Sequence, residues 1–461
     1  MGIYLEQVNL FFLVFILVKL SALARILQGQ LIGQECSYTS VSLDSRSIKA
    51  GELFIAISGD SFDGHAFIGS AKDHGAVAAL VEKVVPSDIP LVLVKDTRKA
   101  LGKLAKIHRE RFSIPIIGLT GSCGKTTTKE MLRAILSECG SVLASRKSFN
   151  NDIGVPLTLL DLTAQHQFAV IEMGANHLGE IAYLSQMSKP DIALITNIAP
   201  AHLQGFGSIE LVAEAKSEIF LGLSPQGIAV INSDDYFANT WKHRLMHHRV
   251  IRFGLGETAD FSAKNVHLDS QARAQFMLVT PKGKISIHLL LLGEHNLLNA
   301  LAAAAVASQV GASLCDIKAG LEKMQGVPGR SMVLESRSGA TIIDDTYNAN
   351  PRSMTAALQL LAHYPGQHIF VMGDMEELGD NASYYHQKMG QLARELGIEH
   401  LYTYGKLTAL TMQAFGASGK HYSSQEALIQ ALKPLLQKGV TVLIKGSRHA
   451  RMEKVVSALV D

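Results

Sequence analysis

An α/β fold in three domains is what this sequence predicts. Short apolar runs rich in Ile, Val and Leu alternate with stretches of helical spacing along most of the chain. The alternation restarts after residue 108 and again after Val327-Pro-Gly-Arg330. A chain of 461 residues also exceeds what one ordinary core holds. The expected domains are a small α/β unit over 18–108, a central parallel-sheet domain over 109–327 and a Rossmann-like domain over 328–461.

Composition narrows the field. Apolar residues make up 47% and charged residues 18%, as in a globular protein. The net charge is +2 with both signs interspersed, so nothing points to a nucleic-acid partner. Cys36, Cys123, Cys139 and Cys315 lack metal-ligand spacing and suit a reducing cytoplasm. The run Leu10–Val18 is apolar but too short to span a bilayer, which takes about 20 residues. Glu6 precedes it and no Lys or Arg does, so the basic start of a secretory signal is missing. Residues 1–17 are therefore expected to lie outside the fold, with Val18 a candidate start. A membrane-surface anchor is the alternative, and no stable membrane insertion is expected. Leu20, Leu23, Ile26, Leu27 and Leu31 then read as one amphipathic helix.

In the first domain the informative stretch is Ser42 to His65. A strand, Leu53–Ile57, follows the polar loop Asp44-Ser45-Arg46 and precedes Ser58-Gly59-Asp60. Arg46 could grip an anionic group bidentately, or make a local salt bridge in a solvated loop. Thr97 to Arg111 reads as a helix leading into the central domain.

The central domain opens with a buried strand, Ile114–Leu119, a glycine turn and a helix from Thr126 to Cys139. The loop is Thr120-Gly121-Ser122-Cys123-Gly124-Lys125-Thr126-Thr127. Glycines there let backbone N–H groups approach phosphates, and a helix N-terminus adds partial positive charge. Lys125 would reach the β- and γ-phosphates, and the Thr126 hydroxyl would hold Mg²⁺. The loop is a variant, with Leu119 where the common motif has Gly and Gly118 one residue earlier. Cys123 is a possible oxidation site or simply a small loop residue. Strands Phe168–Met173 and Ile192–Asn197 follow, the first ending near Glu172 and the second in a loop carrying His202. Ligands of parallel sheets lie beyond the carboxyl ends of strands. Carboxylate and imidazole there suit Mg²⁺ on nucleotide phosphates.

On the helix from Ile209 to Phe220, Lys216 falls in the apolar stripe, with Glu210, Glu214 and Ser217 opposite. Desolvation lowers the pKa of a buried Lys, and a neutral amine can take up CO₂ as a carbamate. A lysine snorkelling to water is the alternative. Residues 226–290 read as further strands and a less regular, strand-rich insertion. Asn296 and Asn299, three apart on an Ala-rich helix, could read an adenine edge or cap the helix start. In the third domain strands end at Asp345, Asp374, Tyr404 and Lys445, with helices between them. Asn350-Pro351 has the form of a helix cap followed by proline at the first position. The loops Asp344–Asn350, Gly373-Asp374 and Lys445–Arg448 could face a cleft shared with the central domain.

These stretches resemble the Mur ligase family of peptidoglycan precursor synthesis over nearly the whole chain. The resemblance rests on Thr120–Thr126, Glu172, Asn197–His202, Ala215-Lys-Ser217, His295-Asn-x-x-Asn299, Gly329-Arg330 and the Asp345 loop. Asp345–Pro351, Met372–Gly379 and Lys445–Arg448 are most similar to the member that adds D-alanyl-D-alanine to UDP-N-acetylmuramoyl-tripeptide. The resemblance implies a cytoplasmic ligase, expected as a monomer, that uses ATP and Mg²⁺ and passes through an acyl phosphate. It implies that Thr126, Glu172 and His202 serve Mg²⁺ and that Lys216 is carbamylated. Lys125, Lys216 and His202 would be catalytic. Asn296 and Asn299 would meet adenine, and Arg330 and Asp345 the ribose side. Ser45, Arg46, Asn150 and Asn151 would bind the UDP substrate, and Tyr347, Asn348, Ser447 and Arg448 the dipeptide. Two rivals are a related amide ligase, such as the third-residue ligase or folylpolyglutamate synthase, and a regulatory or transport ATPase without a small-molecule acceptor.

Overall fold

The computed structural model describes residues 18–59, 62–146 and 148–460. The expectation for residues 1–17, and Asp60 of the first-domain loop, lie outside the described residues. By their contacts the residues form two compact units. One takes in Ser113 and the chain before it together with 152–162; the other comprises 114–151 and 163–461.

In the first unit helix α1, Leu20–Leu27, buries Leu20, Leu23 and Ala24. It stops at Gln28, whose left-handed backbone caps it, so Leu31 belongs to strand β1 (Gln30–Ile32) and not to the helix as its spacing suggested. With β2 (Val41–Ser42), β3 (Leu53–Ile55), β4 (Ala78–Val81) and β5 (Leu91–Leu93) it forms a five-stranded sheet of order β1-β5-β4-β3-β2. Only the β1 edge is antiparallel. Helix α2, Thr97–Arg109, is capped by Asp96, whose carboxylate accepts the Lys99 N–H. The short helix Gly154–Leu160 also packs in this unit. Leu157 and Leu160 join the core that holds Leu101, and the Leu162 carbonyl lies 2.9 Å from His108 Nε2. Residues 152–162 thus leave the 109–327 stretch to which the sequence reading gave them, because their apolar face is buried in the first unit.

The second unit holds one all-parallel sheet, one sheet that is parallel except at one antiparallel edge strand, and a small antiparallel meander. β6 (Ile116–Thr120), β7 (Val142–Ala144), β8 (Phe168–Glu172), β9 (Ile192–Ile195), β10 (Ile228–Asn232) and β11 (Arg249–Phe253) are all parallel, in the order β11-β10-β9-β6-β8-β7. Their central strands are buried on both faces, as near-continuous Ile, Val, Leu and Ala runs require. Helix α3 (Lys125–Ser137) follows β6 and buries Met131, Leu132, Ile135 and Leu136. Helix α4 (Ile209–Ser217) is shorter than its apolar spacing suggested, because Glu218–Gly222 tightens into a 3₁₀ turn. Ser217, expected on the solvent side, is buried. The insertion is an antiparallel meander of β12 (Ser262–Leu268), β13 (Arg273–Thr280) and β14 (Gly283–Leu292). Helix α5 (His295–Gln309), apolar almost all round, runs through the core.

The last sheet has the order β15-β16-β20-β17-β18-β19. Its strands are β15 (Met332–Glu335), β16 (Thr341–Asp345), β17 (Gln367–Gly373), β18 (His400–Tyr404), β19 (Gly419–Tyr422) and β20 (Val440–Lys445). Both edge strands, β15 and β19, went unpredicted: β15 is apolar but only four residues long, β19 carries little apolar signal, and the residues of both are half-buried or exposed. Where one helix was expected between β18 and β20, helix Thr408–Phe415, β19 and helix Gln425–Leu432 follow one another. Helix α6 (Pro351–His363) starts with an Asn350 capping box and Pro351 in its first turn. Ala272 and Leu292 of the meander join the core of this last sheet, which ties both sheets into one unit.

Candidate active site

The glycine loop lies between β6 and α3, at the carboxyl end of the sheet. Gly124 has φ of 80°, and a Cβ there would come within 2.3 Å of Asn299 Oδ1, so the position excludes a side chain. The next loop over braces it. Asn197 Oδ1 accepts the Cys123 N–H at 3.0 Å, and the Thr196 hydroxyl donates to the Cys123 carbonyl at 2.7 Å. The Ser122 hydroxyl donates to the Ala199 carbonyl at 3.0 Å. Lys125 Nζ donates to the Gly121 carbonyl at 2.7 Å, and burial pushes its pKa down.

This loop forms one wall of a cleft of about 500 Å³. Ser122, Cys123, Gly124, Lys125, Thr127, Glu172, His202, Asn296 and Asn299 line it from the first of the unit's sheets. Arg330, Asp345, Tyr347 and Asn348 line it from the other, with Glu376, Glu377 and Lys445. Glu172, 1% exposed at the end of β8, accepts the Thr126 hydroxyl at 3.1 Å and Asn150 Nδ2 at 2.9 Å. Arg330 Nη2 donates to Thr126 Oγ1 at 3.1 Å, while its guanidinium carbon lies 4.2 Å from the centre of the Tyr347 ring. Asp345 pairs with the buried Lys445 at 2.7 Å.

Lys216 is 1% exposed. Its amine faces the Ala175 carbonyl at 3.5 Å and the Phe206 ring at 5.4 Å. Burial, and then the Lys125 charge, bring its pKa down from 10.5 to about 7. Of the two readings left open by its spacing, burial holds and snorkelling does not.

The other expected residues divide between this cleft and other surroundings. Thr120 is buried and its hydroxyl donates to the Met173 carbonyl, so it serves the strand. Asn296 and Asn299 are bound to each other at 2.9 Å, and Asn299 Oδ1 also accepts the Thr128 hydroxyl at 3.3 Å beneath the glycine loop. Ser45 and Arg46 belong to the first unit, where Arg46 makes the local salt bridge with Asp44 at 2.7 Å. Asn150 and Asn151 line the cleft of the second. Ser447 is buried behind the cleft wall and Arg448 pairs with Glu453 at 3.2 Å, so neither joins Tyr347 and Asn348. Asp374, expected to face the cleft, accepts the N–H groups of Lys406, Leu407 and Thr408 instead.

Three residues escaped the sequence reading. Lys129 is wholly buried 3.7 Å from Glu172. Its place on the stripe with Leu132 and Leu136 could have revealed it. Glu377 pairs with His202 Nδ1, and Arg352 Nη1 donates to the Ile198 carbonyl at 3.1 Å. Those contacts join residues far apart in sequence and left no local signal. Among the described residues no cluster of three or more His, Cys, Asp or Glu has the arrangement of a metal site.

A parallel sheet whose first strand runs into a braced glycine loop, facing a second α/β sheet across one cleft, defines a phosphate-loop protein. The chain belongs to the Mur ligase family. It matches the family's catalytic domain over residues 37–109, the Mur ligase middle domain over 119–307 and the Mur ligase glutamate ligase domain over 329–448. It is 45% identical to UDP-N-acetylmuramoyl-tripeptide–D-alanyl-D-alanine ligase of Escherichia coli K12, over 96% of this chain and 98% of that one. The crystal structure of MurF from Acinetobacter baumannii superposes with a TM-score of 0.89 at 39% identity, covering 95% of this chain and 97% of that chain. MurF ligase from Thermotoga maritima in complex with ADP gives 0.81 at 30% identity, over 91% and 96%.

Proposed function

We infer that this chain is an ATP-dependent ligase that joins D-alanyl-D-alanine to UDP-N-acetylmuramoyl-tripeptide, in the cytoplasm, at the last step of pentapeptide precursor assembly there. The observation that carries the reading is the single cleft onto which Lys125, Glu172 and the Asp345–Asn350 loop all open. Phosphoryl transfer needs positioned charge more than covalent chemistry, and this wall supplies it.

In this reading Lys125 and the Gly121–Gly124 amides hold the ATP phosphates. Thr126 and Glu172 offer two hard oxygen donors side by side, a set that fits Mg²⁺, with His202 near the same wall. When bound, the ion supplies charge neutralisation across the phosphates. The tripeptide carboxylate attacks the γ-phosphate, an acyl phosphate forms and ADP departs. The amine of the dipeptide then attacks the acyl carbon and phosphate leaves. Lys216, with an amine neutral enough to take up CO₂, provides a carbamate anion behind the phosphate site. Asn296, Asn299, Arg330 and Asp345 hold the nucleoside end, Ser45, Arg46, Asn150 and Asn151 bind the UDP substrate, and Tyr347 and Asn348 the dipeptide.

The test is phosphate release across a panel of UDP-muramoyl peptides and amine acceptors, with mass analysis of the product. Release that needs both the tripeptide and D-Ala-D-Ala supports the reading. Glutamate transfer to a folate, or ATP turnover indifferent to any acceptor, would overturn it.

A further inference from the structure

Lys129 is a wholly buried cation for which the ligation chemistry has no task. It stands one helical turn beyond Thr126 on α3. Its Nζ donates to the Ser145 carbonyl at 2.8 Å and lies 3.7 Å from Glu172 Oε2. Glu130 is 3.3 Å away, but that carboxylate also takes the Arg133 Nε at 2.7 Å toward the surface. Ser145 binds both members of the inner pair, since its hydroxyl accepts the Glu172 N–H at 3.0 Å. Asn150 and Thr126 also donate to this carboxylate.

A buried ammonium and a buried carboxylate each persist only when paired. Together they leave this corner of the cleft with little net charge. One carboxylate already balanced by a lysine exerts a weak pull on a divalent cation, which draws its affinity from uncompensated oxygen charge. Triphosphate oxygens would supply that charge. We propose that Lys129 is a positioning residue: it fixes Glu172 beside Thr126 and balances its charge, so that the phosphate loop takes up its divalent cation only together with the nucleotide. This rests on the nucleotide-binding reading above.

The experiment uses Mn²⁺ as the probe and the full chain, with free Mn²⁺ counted by electron paramagnetic resonance. Without nucleotide, wild type is expected to show no saturable uptake at micromolar Mn²⁺. Lys129→Gln should bind Mn²⁺ at least about tenfold more tightly without nucleotide, the scale on which groups supporting a metal ligand act. Lys129→Arg keeps the charge and should behave as wild type. In turnover, Lys129→Gln should lower kcat while leaving KM for the acceptor unchanged, and Lys129→Arg should recover part of it. Saturable micromolar uptake by nucleotide-free wild type overturns the proposal, whether or not Lys129→Gln folds. So does a folded Lys129→Gln with unchanged Mn²⁺ affinity, or a Lys129→Arg that gains affinity. Calorimetric titration with ADP separates the two levels of inference. A wild type that binds no ADP sinks the nucleotide reading, whereas metal uptake without nucleotide sinks only the role of Lys129.

Discussion

Replacing Lys216 with methionine tests the carbamate reading most directly. Methionine is close in length and can keep the contact with Phe206, so the core should close around it. The amine it removes has its pKa drawn from 10.5 to about 7. At pH 7 about half of such amines are neutral, against about three in ten thousand for a free lysine, a gain on the order of 10³ in the form that reacts with CO₂. The same shift has a stability consequence. Between pH 7 and 10.5 the unfolded chain binds more protons at this group than the native one, so native stability rises with pH across that window and is lost as pH falls back to 7. The span corresponds to a few kcal/mol. In CO₂-free buffer, the thermal midpoint of wild type should therefore climb from pH 7 to 9.5 relative to that of Lys216→Met. Ligation by the variant should fall at least about a hundredfold, as when a group acting on the transition state is lost. A carbamate resonance from ¹³C-labelled bicarbonate should be present in wild type and absent from the variant. Turnover by Lys216→Met above about a tenth of wild type would refute the reasoning. So would wild-type turnover indifferent to CO₂ removal with no carbamate resonance.

Gly124→Ala should abolish nucleotide binding in an ADP titration, because its Cβ meets Asn299 Oδ1 at 2.3 Å at a φ of 80°; near-normal affinity would contradict the loop geometry. Asp345→Asn leaves Lys445, 3% exposed at its side chain, without its carboxylate and should cost about 3–5 kcal/mol in urea denaturation. Tyr347→Ala removes the ring that faces the Arg330 guanidinium and should raise KM for both ATP and D-Ala-D-Ala about two- to fivefold with little change in kcat, on the scale of a half-buried cation–π contact. Arg352→Ala breaks the contact with the Ile198 carbonyl behind the glycine loop and should speed amide hydrogen exchange at 197–199.

Sequence alone determined the features whose parts are contiguous. A strand, a glycine turn and a helix carrying Lys125 and Thr126 follow one another without a gap, so local backbone preference is enough to place the loop. The Asn350-Pro351 helix start was legible for the same reason, through a cap rule, whereas the 3.6-residue period put Lys216 on the apolar stripe and left burial and snorkelling both open until the packing decided it. The tertiary structure decided what depends on distant partners. Lys129 meets Glu172 only because β8 lies beside β6, and Glu377 reaches His202 only because the two sheets share one unit. Helix Gly154–Leu160 joins the first unit because its apolar face finds a core there, which no local pattern specifies. Ser447 and Asp374 were expected at the cleft from their strand-end positions. Backbone groups claimed Asp374, and burial removed Ser447, because a strand end fixes where a residue is and its neighbours decide what the side chain faces.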